Sequence, residues 1–175
     1  MNRSERLILG IDPGYGRMGY AVIAVQGIEL RPLVCDVVST QARIAYPARL
    51  QRLYEGLCAI VSRYHPREAA MEKLFFGNNA PTAIAVAQAR GVALLALAQF
   101  GLSIAEYTPN EVKLAVTGYG AARKEQVGEM VRLLLHLPQI PRPDDAADAA
   151  AVAICHAHML RINSGPASTE GATPG

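Results

Sequence analysis

The first forty residues fall into short apolar runs punctuated by glycines and polar turn residues. "RLILGID" at 6–12, "GYAVIAVQ" at 19–26 and "IELRPLVCDVVS" at 28–39 each read as a strand, and Gln26 and Gly27 form a tight-turn candidate. Three strands joined by short turns predict a meander. After Pro47 the period lengthens: Leu50, Leu53, Leu57, Ile60, Val61 and Tyr64 recur at helical spacing, with arginines on the other side. "REAAMEKLF" predicts a short strand ending near Glu72, and "GNNAP" a turn. "TAIAVAQARGVALLALAQF", starting at Thr82, predicts a helix apolar almost all round, which implies cover on more than one side, in the core or at a subunit interface. "LSIAEY" gives a further strand, "TPNEV" a helix start and "KEQVGEMVRLLLHL" an amphipathic helix. "PRPDDAADAAAVAICHAHML" opens the last helix, with Pro143 and the aspartates as its start signal.

The resulting order is three strands, a helix, a strand, a helix, a strand and three helices. It predicts an α/β fold in which a five-stranded mixed sheet is flanked by helices on both faces. Nothing divides residues 1–162, which should form one domain, and 163–175, "NSGPASTEGATPG", are expected to be a disordered tail.

Composition narrows the setting. A chain of 175 residues can bury a core without disulfides or structural metals. Cys35, Cys58 and Cys155 are odd in number and far apart, so neither a disulfide framework nor a zinc site is suggested, and a reducing cytoplasm fits best. Asp12 and Pro13 interrupt the first apolar stretch too early for a signal-peptide core, and "GVALLALAQF" is shorter than a membrane span. A soluble protein without membrane contact is expected. A net charge of +2 is too mild to announce a nucleic-acid binder. The arginines at 43, 49, 52, 63 and 67, and the alternating charges around Lys113, Arg123, Lys124 and Arg132, are by themselves solvated helix faces.

Carboxylates change the picture. Asp12 ends the first strand, Glu72 ends the fourth, and on the last helix Asp145 and Asp148, three apart, share one face, with Asp144 and Asp148, four apart, serving nearly as well. Taken singly, each has a bland reading as a turn residue, a cap or an exposed charge. Together they do not, because caps do not explain acids at the ends of two apolar strands. Convergent carboxylates raise one another's pKa unless a cation neutralises them, and oxygen-only ligands select hard ions such as Mg²⁺ or Mn²⁺. Two such ions form the clamp used in phosphodiester hydrolysis.

"GIDPGYGRMGYAV", "MEKLFFGNNAPTAIAVAQARGVA", "YTPNEVKLAVTGYGAARKEQV" and "DDAADAAAVAICHAH" resemble, in order and spacing, the successive motifs of the RuvC Holliday junction resolvases. The resemblance runs from about residue 7 to 158. It implies a ribonuclease-H-like fold and a homodimer that cuts four-way DNA junctions on two opposed strands during recombination and repair. It also implies Mg²⁺ or Mn²⁺, two ions per site, and the RuvA-RuvB branch-migration complex as a partner. The family's four catalytic, metal-binding acids fall on Asp12, Glu72, Asp145 and Asp148, leaving Asp144 as the helix cap. Its DNA-contacting lysines match Lys113 and Lys124, and its aromatic residue beside the catalytic glutamate matches Phe75, implying that Phe75 stacks on an unpaired base.

Two other functions share some of these features. Sugar kinases and actin-like ATPases have a similar meander and an aspartate-glycine phosphate loop, but pair two lobes around ATP, and this chain has room for one. A junction-binding module without activity would not need all four acids. "CHAH" at 155–158 reads as a core cysteine between turns, followed by surface histidines.

Overall fold

The computed structural model describes residues 5–73 and 80–163. Its strands are β1 (Arg6–Asp12), β2 (Arg17–Gln26), β3 (Glu29–Ser39), β4 (Glu68–Glu72) and β5 (Ser103–Tyr107). Its helices are α1 (Tyr46–Tyr64), α2 (Ala80–Gln99), α3 (Pro109–Thr117), α4 (Lys124–Leu134) and α5 (Asp144–Asn163). Their order along the chain is the expected one. Asn163, placed by the sequence in the tail, is the last residue of α5, and the rest of that segment lies outside the described residues.

The sheet runs β3-β2-β1-β4-β5. β1, β2 and β3 pair antiparallel as the meander, and β4 and β5 continue the sheet parallel to β1. Strand alternation then assigns residues to two layers. Ile8, Ala21, Ile23 and Ala70 face α3, α4 and α5, where they meet Val116, Val131 and Ile154. Leu9, Ile11, Val22 and Met71 face α1 and α2, where they meet Leu53, Leu57 and Leu97. Both faces of the mixed sheet are therefore covered.

α5 lies unusually close to the sheet. A Cβ on Gly10 would strike the Ala149 carbonyl, and one on Gly19 would strike the Asp145 carbonyl, so the helix backbone rests on two glycines of adjacent strands. The helix side of this contact is small as well, with Ala146, Ala149, Ala150 and Ala153 all buried.

α2 differs from expectation in one respect. Ala89, Ala93, Ala96 and Leu97 are buried against α1 and the sheet, but Ile84 is 61% exposed and Leu95 55%, so the described residues cover only one side of the helix. By length and composition alone Thr82–Gln99 could cross a bilayer; its alanine stripe is packed in the core.

His156 corrects the reading of "CHAH". It is the one buried polar side chain among the described residues. Tyr107 Oη lies 2.7 Å from its Nδ1, and Glu68 Oε2 lies 3.1 Å from its Nε2. Burial holds its pKa below the usual histidine value despite the opposing pull of Glu68. The ring is thus neutral, with Nε2–H donating to the carboxylate and Nδ1 accepting from the tyrosine. Cys155 is a buried core residue as expected.

Candidate active site

Period-2 alternation puts Asp12 on the same sheet face as Ile8 and Gly10, and Glu72 on the same face as Ala70, beneath α5. β1 and β4 are parallel neighbours, so these two acids end adjacent strands at the same edge. α5 begins over that edge, and its contact with Gly19, the register partner of Asp12, delivers Asp145 and Asp148 to it. An open α/β sheet forms its binding crevice outside the carboxyl ends of such strands, where the chain turns to opposite sides. The structure brings all four acids there.

Their fields overlap. Burial, and then the charges of Asp148, Asp145 and Glu72, raise the Asp12 carboxyl to about 7. Glu72 is raised by burial and by Asp148, and lowered by Lys113 and Lys124. Lys113 on α3 and Lys124 at the start of α4 are therefore electrostatic neighbours of Glu72. Lys124 reaches furthest: its Nζ donates to Asp148 Oδ2 at 2.8 Å and lies 3.7 Å from Asp144 Oδ2. That hydrogen bond raises its pKa above the usual lysine value.

Asp144 departs from its expected role as cap. It is the first residue of α5, and its carboxylate is turned to an ion pair with Arg142 and to Lys124. Arg17 was not anticipated. At the start of β2 its Nε stands 3.2 Å from Asp145 Oδ2, while its side chain stays 54% exposed. Only the hairpin register reveals it, because pairing Asp12 with Gly19 puts Arg17, two residues away, on the face that carries the acids. Phe75 lies outside the described residues.

The loop between β1 and β2 is braced. Arg49 donates to the Tyr15 carbonyl and to Thr40 Oγ1, and its guanidinium sits 4.9 Å from the centre of the Tyr15 ring. This holds the turn after Asp12 against α1.

As a metal site the arrangement has suitable donors in an open disposition. Among the described residues, no group of three or more His, Cys, Asp or Glu side chains stands close enough together to hold a metal ion as the side chains lie. Lys124 and Arg17 each hold one α5 carboxylate to the side. The donor set is carboxylate oxygen alone, and its mutual repulsion, felt at Asp12, is what a hard divalent cation relieves. The residues fit such an ion.

Residues 8–156 match the family model described as "Crossover junction endodeoxyribonuclease RuvC". The chain is 54% identical over 161 residues to the crossover junction endodeoxyribonuclease RuvC of Roseiflexus sp. (strain RS-1), covering 90% of this chain and 96% of that one. It is also 54% identical over 154 residues to that of Heliobacterium modesticaldum, covering 88% and 95%. The solved structure of T. thermophilus RuvC in complex with a Holliday junction substrate superposes with a TM-score of 0.86 at 35% identity, over 91% of this chain and 97% of that one. With the four acids gathered at one edge of this sheet, the chain belongs to the RuvC family of crossover junction endodeoxyribonucleases.

Proposed function

We propose that Asp12, Glu72, Asp145 and Asp148 are the acids with which this chain hydrolyses four-way DNA junctions. As a RuvC-family crossover junction endodeoxyribonuclease it resolves Holliday junctions in recombination and repair. The observation supporting these four residues is that Asp12 feels the other three, a degree of repulsion that a fold retains where it has a use.

The RuvC family is one of metal-dependent nucleases. For this chain we assign Mg²⁺ or Mn²⁺, two ions held by the four carboxylates; bound there, they supply an activated water and a counter-charge for the leaving oxygen. The chain's own residues do the rest. Asp12 and Glu72, fixed on neighbouring strands, and Asp145 and Asp148, fixed by the seating of α5, hold the charge in place without reorganisation. Lys113 and Lys124 bind the backbone phosphates on either side of the cut and neutralise part of the acidic field that would repel DNA. By resemblance, Phe75 opens the junction by stacking.

A junction has two-fold symmetry, and paired nicks need two sites, so we assign a homodimer, with the uncovered side of α2 as its contact. The RuvA-RuvB complex is the expected branch-migration partner. Free thiols at Cys35, Cys58 and Cys155 support a place in the reducing cytoplasm.

The test uses a labelled four-way junction and a matched duplex, with and without metal. Asp12→Asn, Glu72→Gln, Asp145→Asn and Asp148→Asn are each expected to abolish cutting while leaving junction binding intact or tighter, since each keeps shape and removes a ligand charge. A variant that still cuts near the wild-type rate in saturating Mg²⁺ would remove that residue from the set.

A further inference from the structure

Four cations besides Lys113 stand at this edge of the sheet, and they are not equivalent. Lys73, just past Glu72, lies by Glu111 of α3. Arg142 is occupied by Asp144, outside the four acids. Lys124 bridges Asp148 and Asp144. Arg17 alone comes from the sheet, and it approaches Asp145 from the β2 side, opposite the lysines of α3 and α4. A guanidinium is a planar fork with five N–H donors, so one edge can hold a carboxylate while another faces outward. Here Nε is turned to Asp145 and more than half of the side chain remains exposed at the mouth of the site.

We propose that Arg17 is a further residue of the nuclease site, holding Asp145 through Nε and gripping through its outer amino groups a phosphate of the cut strand on the β2 side. The assignment rests on Asp145 being one of the four acids. It gives the strand a third point of attachment beside Lys113 and Lys124. The geometry supports it in two ways. Arg17 shares a face with Gly19, whose lack of a side chain seats Asp145, so the strand positions ligand and cation together. Its neighbour Gly16 carries no side chain, and Thr40 and Arg49 hold the turn there by hydrogen bonds to the Gly16 and Tyr15 carbonyls, so Arg17 projects from a fixed turn. A fixed base makes bidentate phosphate recognition possible at low entropic cost.

Arg17→Gln and Arg17→Lys in the full chain test this. Four quantities are read: melting temperature, Mn²⁺ affinity by calorimetry without DNA, the salt dependence of junction binding without metal, and the single-turnover cutting rate. Arg17→Gln is expected to melt like the wild type and to bind Mn²⁺ no more weakly, because a repelling cation has been removed. Its slope of log K against log salt should flatten by about 0.9, and its cutting should slow by about 10- to 100-fold, as for loss of one charge-assisted contact. Arg17→Lys should recover the slope but not the full rate, since an ammonium carries the charge but lacks the planar fork that grips a phosphate through two parallel N–H donors. An unchanged slope and rate in Arg17→Gln would overturn the proposal and leave an ordinary exposed ion pair. Mn²⁺ affinity falling in step with the rate, with the slope unchanged, would also overturn it, leaving orientation of Asp145 alone. Asp145→Asn is run alongside: if it still cuts near the wild-type rate in saturating Mg²⁺, the reading of Asp145 as one of the four acids fails, while the Arg17 salt slope is judged on its own.

Discussion

Asp12 carries the strain of the site in a single proton. Below the unfolded value of 3.8 the carboxyl is protonated in both folded and unfolded chains; between there and about 7 only the folded chain keeps the proton. The unfolded chain is thus favoured by ionisation, and the metal-free protein should lose stability as pH rises through about 7. Asp12→Asn has no such proton, so its melting-temperature advantage over the wild type, measured without metal, should grow from pH 5 to pH 8. Equal pH dependence in the two proteins would mean that ionised Asp12 is not strained. Bound divalent ions replace the proton, and Mn²⁺ affinity should accordingly weaken below pH 7. At this scale much was legible in advance: an acid closing an apolar strand has few explanations, and four in register have fewer. Arg17, Asp144 and His156 were not legible, because each is defined by a partner far away in sequence or by an ion pair that competes with a cap.

At the scale of elements, α5 is the part that assembles the site, and it is pinned at two places. Its first turns rest on Gly19, and two turns beyond Asp148 the ring of His156 ties it to β4 through Glu68 and to β5 through Tyr107. His156→Phe fills the space but leaves a phenol and a carboxylate without this partner, and should cost about 1–3 kcal/mol in urea unfolding at pH 7.5. The histidine's folded pKa is lowered, so its unfolded form binds protons more readily. The wild type should therefore lose this contribution as pH falls from about 6.5 towards the lowered value, and the gap to His156→Phe should narrow there. A gap independent of pH would mean that His156 is not held neutral. The helix itself was readable from its start signal and alanine content. The seating was not, since alanines next to glycines are visible only when strands and helix are superimposed.

At the scale of the whole molecule, the order of elements was legible because helical period marks α1 and α4, while length and flanking turn or start signals mark α2, α5 and the five-residue strands β4 and β5. What the pattern could not decide was which side of α2 meets its own sheet. Among the described residues Ile84 and Leu95 are left exposed, and the proposed homodimer would use this apolar side as its contact. Leu95→Glu should shift the protein to monomer in sedimentation at micromolar concentration and convert paired nicks to single, uncoordinated ones, with metal affinity unchanged. A wild-type monomer that still makes paired nicks would sink the dimer.

The glycine floor under α5 has one more consequence, in ionic radius. The distance from the α5 carboxylates to Asp12 is set by how far a helix backbone can sink onto a strand, and at Gly19 nothing but hydrogen lies between. Mg²⁺ binds oxygen at about 2.0–2.1 Å and Ca²⁺ at about 2.3–2.6 Å, so a helix lifted by one methyl group would suit the larger ion. Gly19→Ala, if the chain accommodates it by raising the helix, should weaken Mg²⁺ more than Ca²⁺ in direct binding measurements. Equal weakening would mean that the carboxylate side chains, and not the floor, gauge the ion.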